Sequence, residues 1–215
     1  MIDSEQSELE EIPLTYQSRD PDARVRKLIE AGTEKIENFY RDGLGLRYRN
    51  FVPCDPLLFY SAMRELQETG ELSSGLFCEW GSGFGLMAGI ASLLGFEAIG
   101  IEKEEILVTR SRELIEENEL ALTILETSYL PPGFEETEGI GGKDLLLPED
   151  YVSGATSSLP ALYDDLDPAE VDLFFCYPWP DQEQMIMDLF QAVASEDAIL
   201  MMYLGDGEMV TYRLG

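Results

Sequence analysis

Between Glu79 and Gly85 the chain reads Glu-Trp-Gly-Ser-Gly-Phe-Gly, preceded by the apolar run Leu76 to Cys78 and followed by a small-residue amphipathic stretch from Leu86. That order predicts a strand, a tight turn and a helix. Glycines at three alternate positions, Gly81, Gly83 and Gly85, let backbone come close to a ligand with no Cβ in the way. The helix behind them presents unpaired N–H groups at the same place. A second acid, Glu102, ends the next apolar run, Glu97 to Ile101. An acid about 20 residues beyond such glycines suits a bidentate hydrogen bond to ribose hydroxyls. The pair predicts a nucleoside-containing cofactor. A purely structural turn is the alternative reading of Gly81 to Gly85, and Glu102 weighs against it.

The rest of the chain fits an α/β fold built around that turn. Strands are predicted at Leu76 to Trp80, Ala98 to Glu102, Leu122 to Glu126, Val171 to Cys176 and Ala198 to Tyr203, with Met209 to Leu214 left for a sixth. Helices are predicted between them at Leu86 to Leu94, Ile106 to Asn118 and Gln182 to Ala194. Short apolar strands separated by amphipathic helices argue a mostly parallel sheet covered on both faces. Before the first strand, Asp20-Pro21 and Asp55-Pro56 each read as a helix cap followed by proline at the first helical position. These open helices that end near Gly43 and Gly70. The predicted organisation is an acidic flexible tail over 1–18, a helical extension over 19–70 and a Rossmann-like cofactor-binding domain over 71–215. Pro131 to Glu170 reads as a long irregular segment with at most a short helix at Leu162 to Asp165.

Charge narrows the partners. The chain carries 43 acids against 14 bases, a net charge of −29. Eight of the bases fall between Arg19 and Arg49, where six acids leave +2; residues 50–215 hold six bases against 32 acids, or −26. A nucleic-acid binder clusters Lys and Arg to neutralise phosphates, and this body repels them. No histidine is present, which removes His-based triads, His metal sites and imidazole proton shuttles. No Cys-x-x-Cys pair exists, so no metal site is expected, and three widely spaced cysteines read as reduced thiols. No apolar stretch is long enough to span a bilayer and no signal-peptide pattern opens the chain. A cytoplasmic location is expected, with no membrane partner and with oligomerisation left open.

The dinucleotide pattern G-x-G-x-x-G/A wants a small residue where this chain has Leu86. The spacing here, E-x-G-x-G-x-G, resembles motif I of class I S-adenosylmethionine-dependent methyltransferases. The resemblance covers roughly residues 50–215. It implies that Gly81, Ser82, Gly83 and Gly85 run beside the methionine part of the cofactor, that Glu79 helps hold its ammonium group, and that Glu102 takes the ribose. The substitution is physically sensible, because this cofactor has no pyrophosphate but carries an ammonium and a sulfonium. Glu126, at the end of the third strand, is expected either to meet the adenine amino group or to act as a base. The family normally closes its sheet with a hairpin of two further strands. This chain ends too soon for both, so a sheet shortened on its C-terminal side is expected.

A second segment, Cys176-Tyr177-Pro178-Trp179-Pro180-Asp181, resembles motif IV of the same family. Where amino-group methyltransferases place Asp or Asn to accept from the target amine, this chain has Tyr177. Tyr177, Trp179 and Asp181 are the candidate catalytic residues. Trp179 is read either as a rigid lid or as a substrate contact, and Asp181 either as a helix cap or as a base. The expected function is direct SN2 methyl transfer from S-adenosyl-L-methionine to a small-molecule or protein acceptor. The alternative is a non-catalytic binder of S-adenosylmethionine or S-adenosylhomocysteine, acting as a sensor or complex subunit.

Overall fold

The computed structural model describes residues 8–15, 17–148, 163 and 166–215. Strands β1 (Leu9–Glu11), β2 (Leu76–Trp80), β3 (Glu97–Glu102), β4 (Leu122–Glu126), β7 (Leu173–Cys176), β8 (Ile199–Gly205) and β9 (Glu208–Leu214) form one sheet. Its order is β1-β9-β8-β7-β2-β3-β4. A separate hairpin pairs β5 (Glu135–Gly139) with β6 (Gly142–Leu146). The five strands β4, β3, β2, β7 and β8 run parallel, and β9 turns back antiparallel to β8. This is a Rossmann-like α/β architecture.

Period-two alternation sends the strand residues to opposite faces. Phe77, Phe175 and Met201 face the layer holding Val25 and Leu28 of α1 (Ala23–Arg41), Phe59 and Met63 of α3 (Pro56–Thr69) and most of α4 (Leu86–Leu93). Cys78, Phe174 and Leu200 face Met185, Ile186, Leu189 and Phe190 of α6 (Glu183–Val193). Every residue of β7 is therefore buried. Burying one such Phe or Leu contributes roughly 1.5–3 kcal/mol. The remaining helices are a single turn, α2 (Leu44–Arg47), and α5 (Glu105–Glu117). Helix α4 is apolar on all sides because α1 packs over it. A Cβ at Gly89 would meet Leu28 Cδ2 at 3.0 Å and Leu120 Cδ1 at 3.1 Å.

Three expectations are corrected. The first cap is Asp22, whose carboxylate accepts from Arg24 N and Val25 N, so Pro21 lies outside the helix. Within residues 1–18, read as an unstructured tail, Leu9–Glu11 pairs with β9 and occupies the edge that a second C-terminal strand would fill. The chain then crosses to α3, where Thr15 donates from N and Oγ1 to Glu65 Oε1 at 2.6 and 2.8 Å. Within Pro131 to Glu170, the β5–β6 hairpin stands where irregular chain was expected. It is tied down by Lys143 N donating to Asp181 O at 2.6 Å and by Gln182 Nε2 donating to Glu136 Oε2 at 3.1 Å. The short helix expected at 162–165 falls mostly outside the described residues; Tyr163 and Leu166 form an isolated bridge.

Candidate functional site

The chain fills one side of the sheet with β2, β3 and β4, then returns to build β7 and β8 on the other. At that reversal, beyond the carboxyl ends of β2 and β7, lies a cleft of about 830 Å³. Open α/β sheets bind ligands at such a switch point.

Of the glycine turn, Gly81 and Ser82 line the cleft, while Gly83 and Gly85 do not. Gly81, Gly83 and Gly85 take φ of 72°, 53° and 67°, left-handed values that L side chains adopt only with strain. No heavy atom lies within 4 Å of the point where a Gly81 Cβ would stand, so this backbone is bare toward the cleft. The turn is laced to β3: Gly81 N and Ser82 N both donate to Ile101 O at 2.9 Å. Glu102 completes the lacing, its Oε2 accepting from Gly83 N at 2.8 Å and its Oε1 from Glu104 N at 2.9 Å. On the other side, Glu79 Oε2 accepts from Ala88 N at 2.9 Å. Helix α4 begins at Gly85, which has no side chain to cap it, so Glu79 satisfies one of the donors at its start.

Both acids are buried, and neither forms an ion pair among the described residues. Burial pushes the Glu79 carboxyl up to about 8, against the pull of the Ala88 N–H and with a further push from Glu102. Burial also raises Glu102, opposed by the N–H groups of Glu104, Gly83 and Lys103. Ser82 Oγ and Trp80 Nε1 are buried without a hydrogen-bond partner, at a cost in free energy. Ser82 Oγ is turned toward β3, where it would stand 2.7 Å from a Gly100 Cβ.

Tyr177 and Trp179 line the opposite wall with Pro178 and Pro180. The Tyr177 ring meets that of Tyr203 edge to face at 4.7 Å, while Trp179 is 42% exposed. Four expected site residues do not line the cleft: Gly83, Gly85, Glu126 and Asp181. Glu126 turns outward to Arg112, 3.3 Å away, and its neighbours Thr127 and Ser128 line the cleft instead. One step along an extended chain reverses the face a side chain occupies. Asp181 meets the hairpin through its backbone oxygen, and Gln182 is the residue before α6, with no side-chain cap. The thiols of Cys54 and Cys176 also line the cleft, but burial raises both well above the ordinary thiol value, so they are protonated.

The wall that sequence reading missed is the segment from Arg47 to Cys54. Phe51 lies directly over the glycine turn: a Cβ at Gly83 would stand 2.5 Å from its ring. Phe51 packs with Phe39 at 5.6 Å and Phe84 at 5.2 Å. Tyr129 is the other missed residue, stacked on Trp80 at 6.3 Å. No helix among the described residues is long and apolar enough to cross a membrane.

No protein-family model and no curated protein sequence matches the chain. Solved structures that it resembles include an RNA methyltransferase from Salinibacter ruber in complex with S-adenosyl-L-homocysteine, at 15% identity over 76% of this chain and 92% of that one, with a TM-score of 0.48. A methyltransferase from Geobacter sulfurreducens is similar at 11% identity over 91% and 92%, with a TM-score of 0.49. A putative caffeoyl-CoA O-methyltransferase from Staphylococcus aureus is similar at 12% identity over 84% and 73%, with a TM-score of 0.47.

Proposed function

We propose that the protein binds S-adenosyl-L-methionine in this cleft and promotes transfer of its methyl group by direct SN2 displacement to a small-molecule or protein acceptor. The observation that carries the reading is a pair of buried acids, Glu79 and Glu102, beside the bare backbone of Gly81, neither in an ion pair among the described residues. The residues fit such a cofactor. Glu79 would face its ammonium group and Glu102 its ribose hydroxyls. Bound there, the sulfonium supplies an already activated methyl group.

What remains for the chain is to bind, align and exclude water. Gly81 leaves a bare backbone on the cleft, and Phe51 covers Gly83 beside it. Tyr177 and Trp179, held on a loop with two prolines, bound the side from which an acceptor enters. Tyr177 is one of the hydroxyl residues of the cleft, with Tyr48, Thr127, Ser128 and Tyr129, and it stands on the loop after β7. An acceptor that arrives deprotonated needs no base.

Calorimetric titration with S-adenosylmethionine and S-adenosylhomocysteine tests the reading. One-to-one binding in the micromolar range is expected; folded protein that binds neither, or that binds NAD instead, rejects it. One observation favours the non-catalytic alternative: the loop after β7 turns no carboxylate into the cleft, because Asp181 faces the hairpin. Cofactor turnover in a metabolite extract separates the two.

A further inference from the structure

Arg47 and Arg49 line the cleft, and neither forms an ion pair among the described residues. Of the seven bases without an ion pair among the described residues, Arg47, Arg49 and Lys103 line the cleft, and the two arginines come from one short segment. Both are held at the mouth by local contacts: Arg49 Nε donates to Leu46 O at 3.2 Å, and the Arg47 guanidinium lies 5.5 Å from the Tyr48 ring centre. The same mouth is apolar. Val52 and Trp179, 43% and 42% exposed, line it, and Leu46, 77% exposed, stands next to Arg47. The cleft is at the large end of the range for small-molecule sites, with room for a second molecule beside a nucleoside.

We propose that the outer half of the cleft takes a small organic anion, a carboxylate or phosphate on an apolar or aromatic body, with its charge on Arg47 and Arg49 and its body against Trp179 and Val52. This names the acceptor class and rests on the inner cleft being the cofactor site. Guanidinium groups bind carboxylate and phosphate through paired N–H donors, and an exposed indole offers a flat apolar surface. The net −26 of residues 50–215 sets the size limit. The cleft lining also holds Lys103 and the acids Glu79, Glu102, Glu104 and Glu136, so an anion is favoured only where it reaches the two guanidiniums, and a polyanion extending past the mouth meets a repelling surface.

A matched pair of fluorescent probes tests this. 1-Anilinonaphthalene-8-sulfonate is an aromatic anion, and N-phenyl-1-naphthylamine is the same skeleton without the sulfonate. Both are titrated into wild-type protein and into the Arg47→Gln/Arg49→Gln variant, with and without saturating S-adenosylhomocysteine. The expected result is that the wild type prefers the anion, and that the variant loses about tenfold of that preference while binding the neutral probe unchanged. An unchanged ratio overturns the proposal, as does tighter binding of a 20-nucleotide RNA than of the sulfonate probe. The single Arg49→Gln variant, checked by its melting temperature, provides the same ratio if the double variant folds poorly. Failure of S-adenosylhomocysteine to bind, with the probe preference intact, rejects the cofactor reading and leaves the anion site standing.

Discussion

Replacing Glu79 by Gln asks whether the carboxylate in the inner cleft meets a cation. The amide keeps the shape and retains an oxygen to accept from Ala88 N, so the start of α4 remains capped. With the carboxyl pushed up to about 8, only about one molecule in ten of the free protein carries the charge at neutral pH. A charge-assisted hydrogen bond to an ammonium adds roughly 2 kcal/mol when the carboxylate is ionised. Binding must first remove the proton, so the advantage of wild type over Glu79→Gln grows with pH. The ratio of their dissociation constants for S-adenosylhomocysteine is expected to be near one at about pH 6, and about tenfold or more at about pH 8. Taking the ratio cancels the ligand's own titration. Isothermal calorimetry in two buffers of different ionisation enthalpy also detects the proton released by the wild type. A ratio that stays flat across this range, with both proteins folded, refutes the placement of Glu79 beside a cation.

Four further outcomes are expected. Glu102→Ala removes the acceptor of Gly83 N and Glu104 N and should weaken S-adenosylhomocysteine binding by about 1–3 kcal/mol in calorimetry; unchanged affinity removes Glu102 from the ribose role. Gly81→Ala places a methyl group on a residue with φ of 72° where no protein atom interferes, so it should lower stability by about 1 kcal/mol yet abolish tight ligand binding. A loss of stability far larger than this would show that the space is not open. Glu79 holds its proton in the folded protein at pH values where the unfolded chain has lost it. Its contribution to stability is full below about pH 4.5 and fades as pH rises toward about 8, so denaturant titrations should show wild type losing stability across that window relative to Glu79→Gln. A chain beginning at Ile12 uncovers the β9 edge and should melt lower and associate with itself, as read by light scattering against concentration.

The parallel sheet was legible because each strand is a short apolar run closed by a turn or cap. Leu76–Trp80 and Leu122–Glu126 begin and end where the run does. Asp55-Pro56 is a cap in sequence and in structure, since the carboxylate two residues back reaches Leu57 N. The hairpin Glu-Glu-Thr-Glu-Gly with Gly-Lys-Asp-Leu-Leu has no apolar alternation to reveal it. Its hold on the protein comes from Asp181 and Gln182, some 40 residues later. β1 is three residues long and two of them are acids, so only pairing with β9 makes it a strand. The same division runs through the site. Glycines and acids at strand ends carry local signals. The wall from Arg47 to Cys54 has none, because it reaches the cleft through contacts between Phe51 and the distant Phe84. Glu126 ends its strand as the sequence reads, but its side chain turns to Arg112, a tertiary contact with no local signal.

The edge strand also sets an order of events during synthesis. Leu9 pairs with Leu214, so a strand made early must wait for one made about 200 residues later. At roughly 5–20 residues per second, about 200 residues take on the order of 10–40 s to follow. During that interval Leu9–Glu11 has no partner, and the outer edge of β8, complete only at Gly205, stays uncovered until β9 follows. Sealing this border is therefore a late, long-range step whose loop-closure entropy is met only when β9 emerges. A ribosome stalled before residue 208 would carry a nascent chain with the cleft elements already made and the sheet still open on one side.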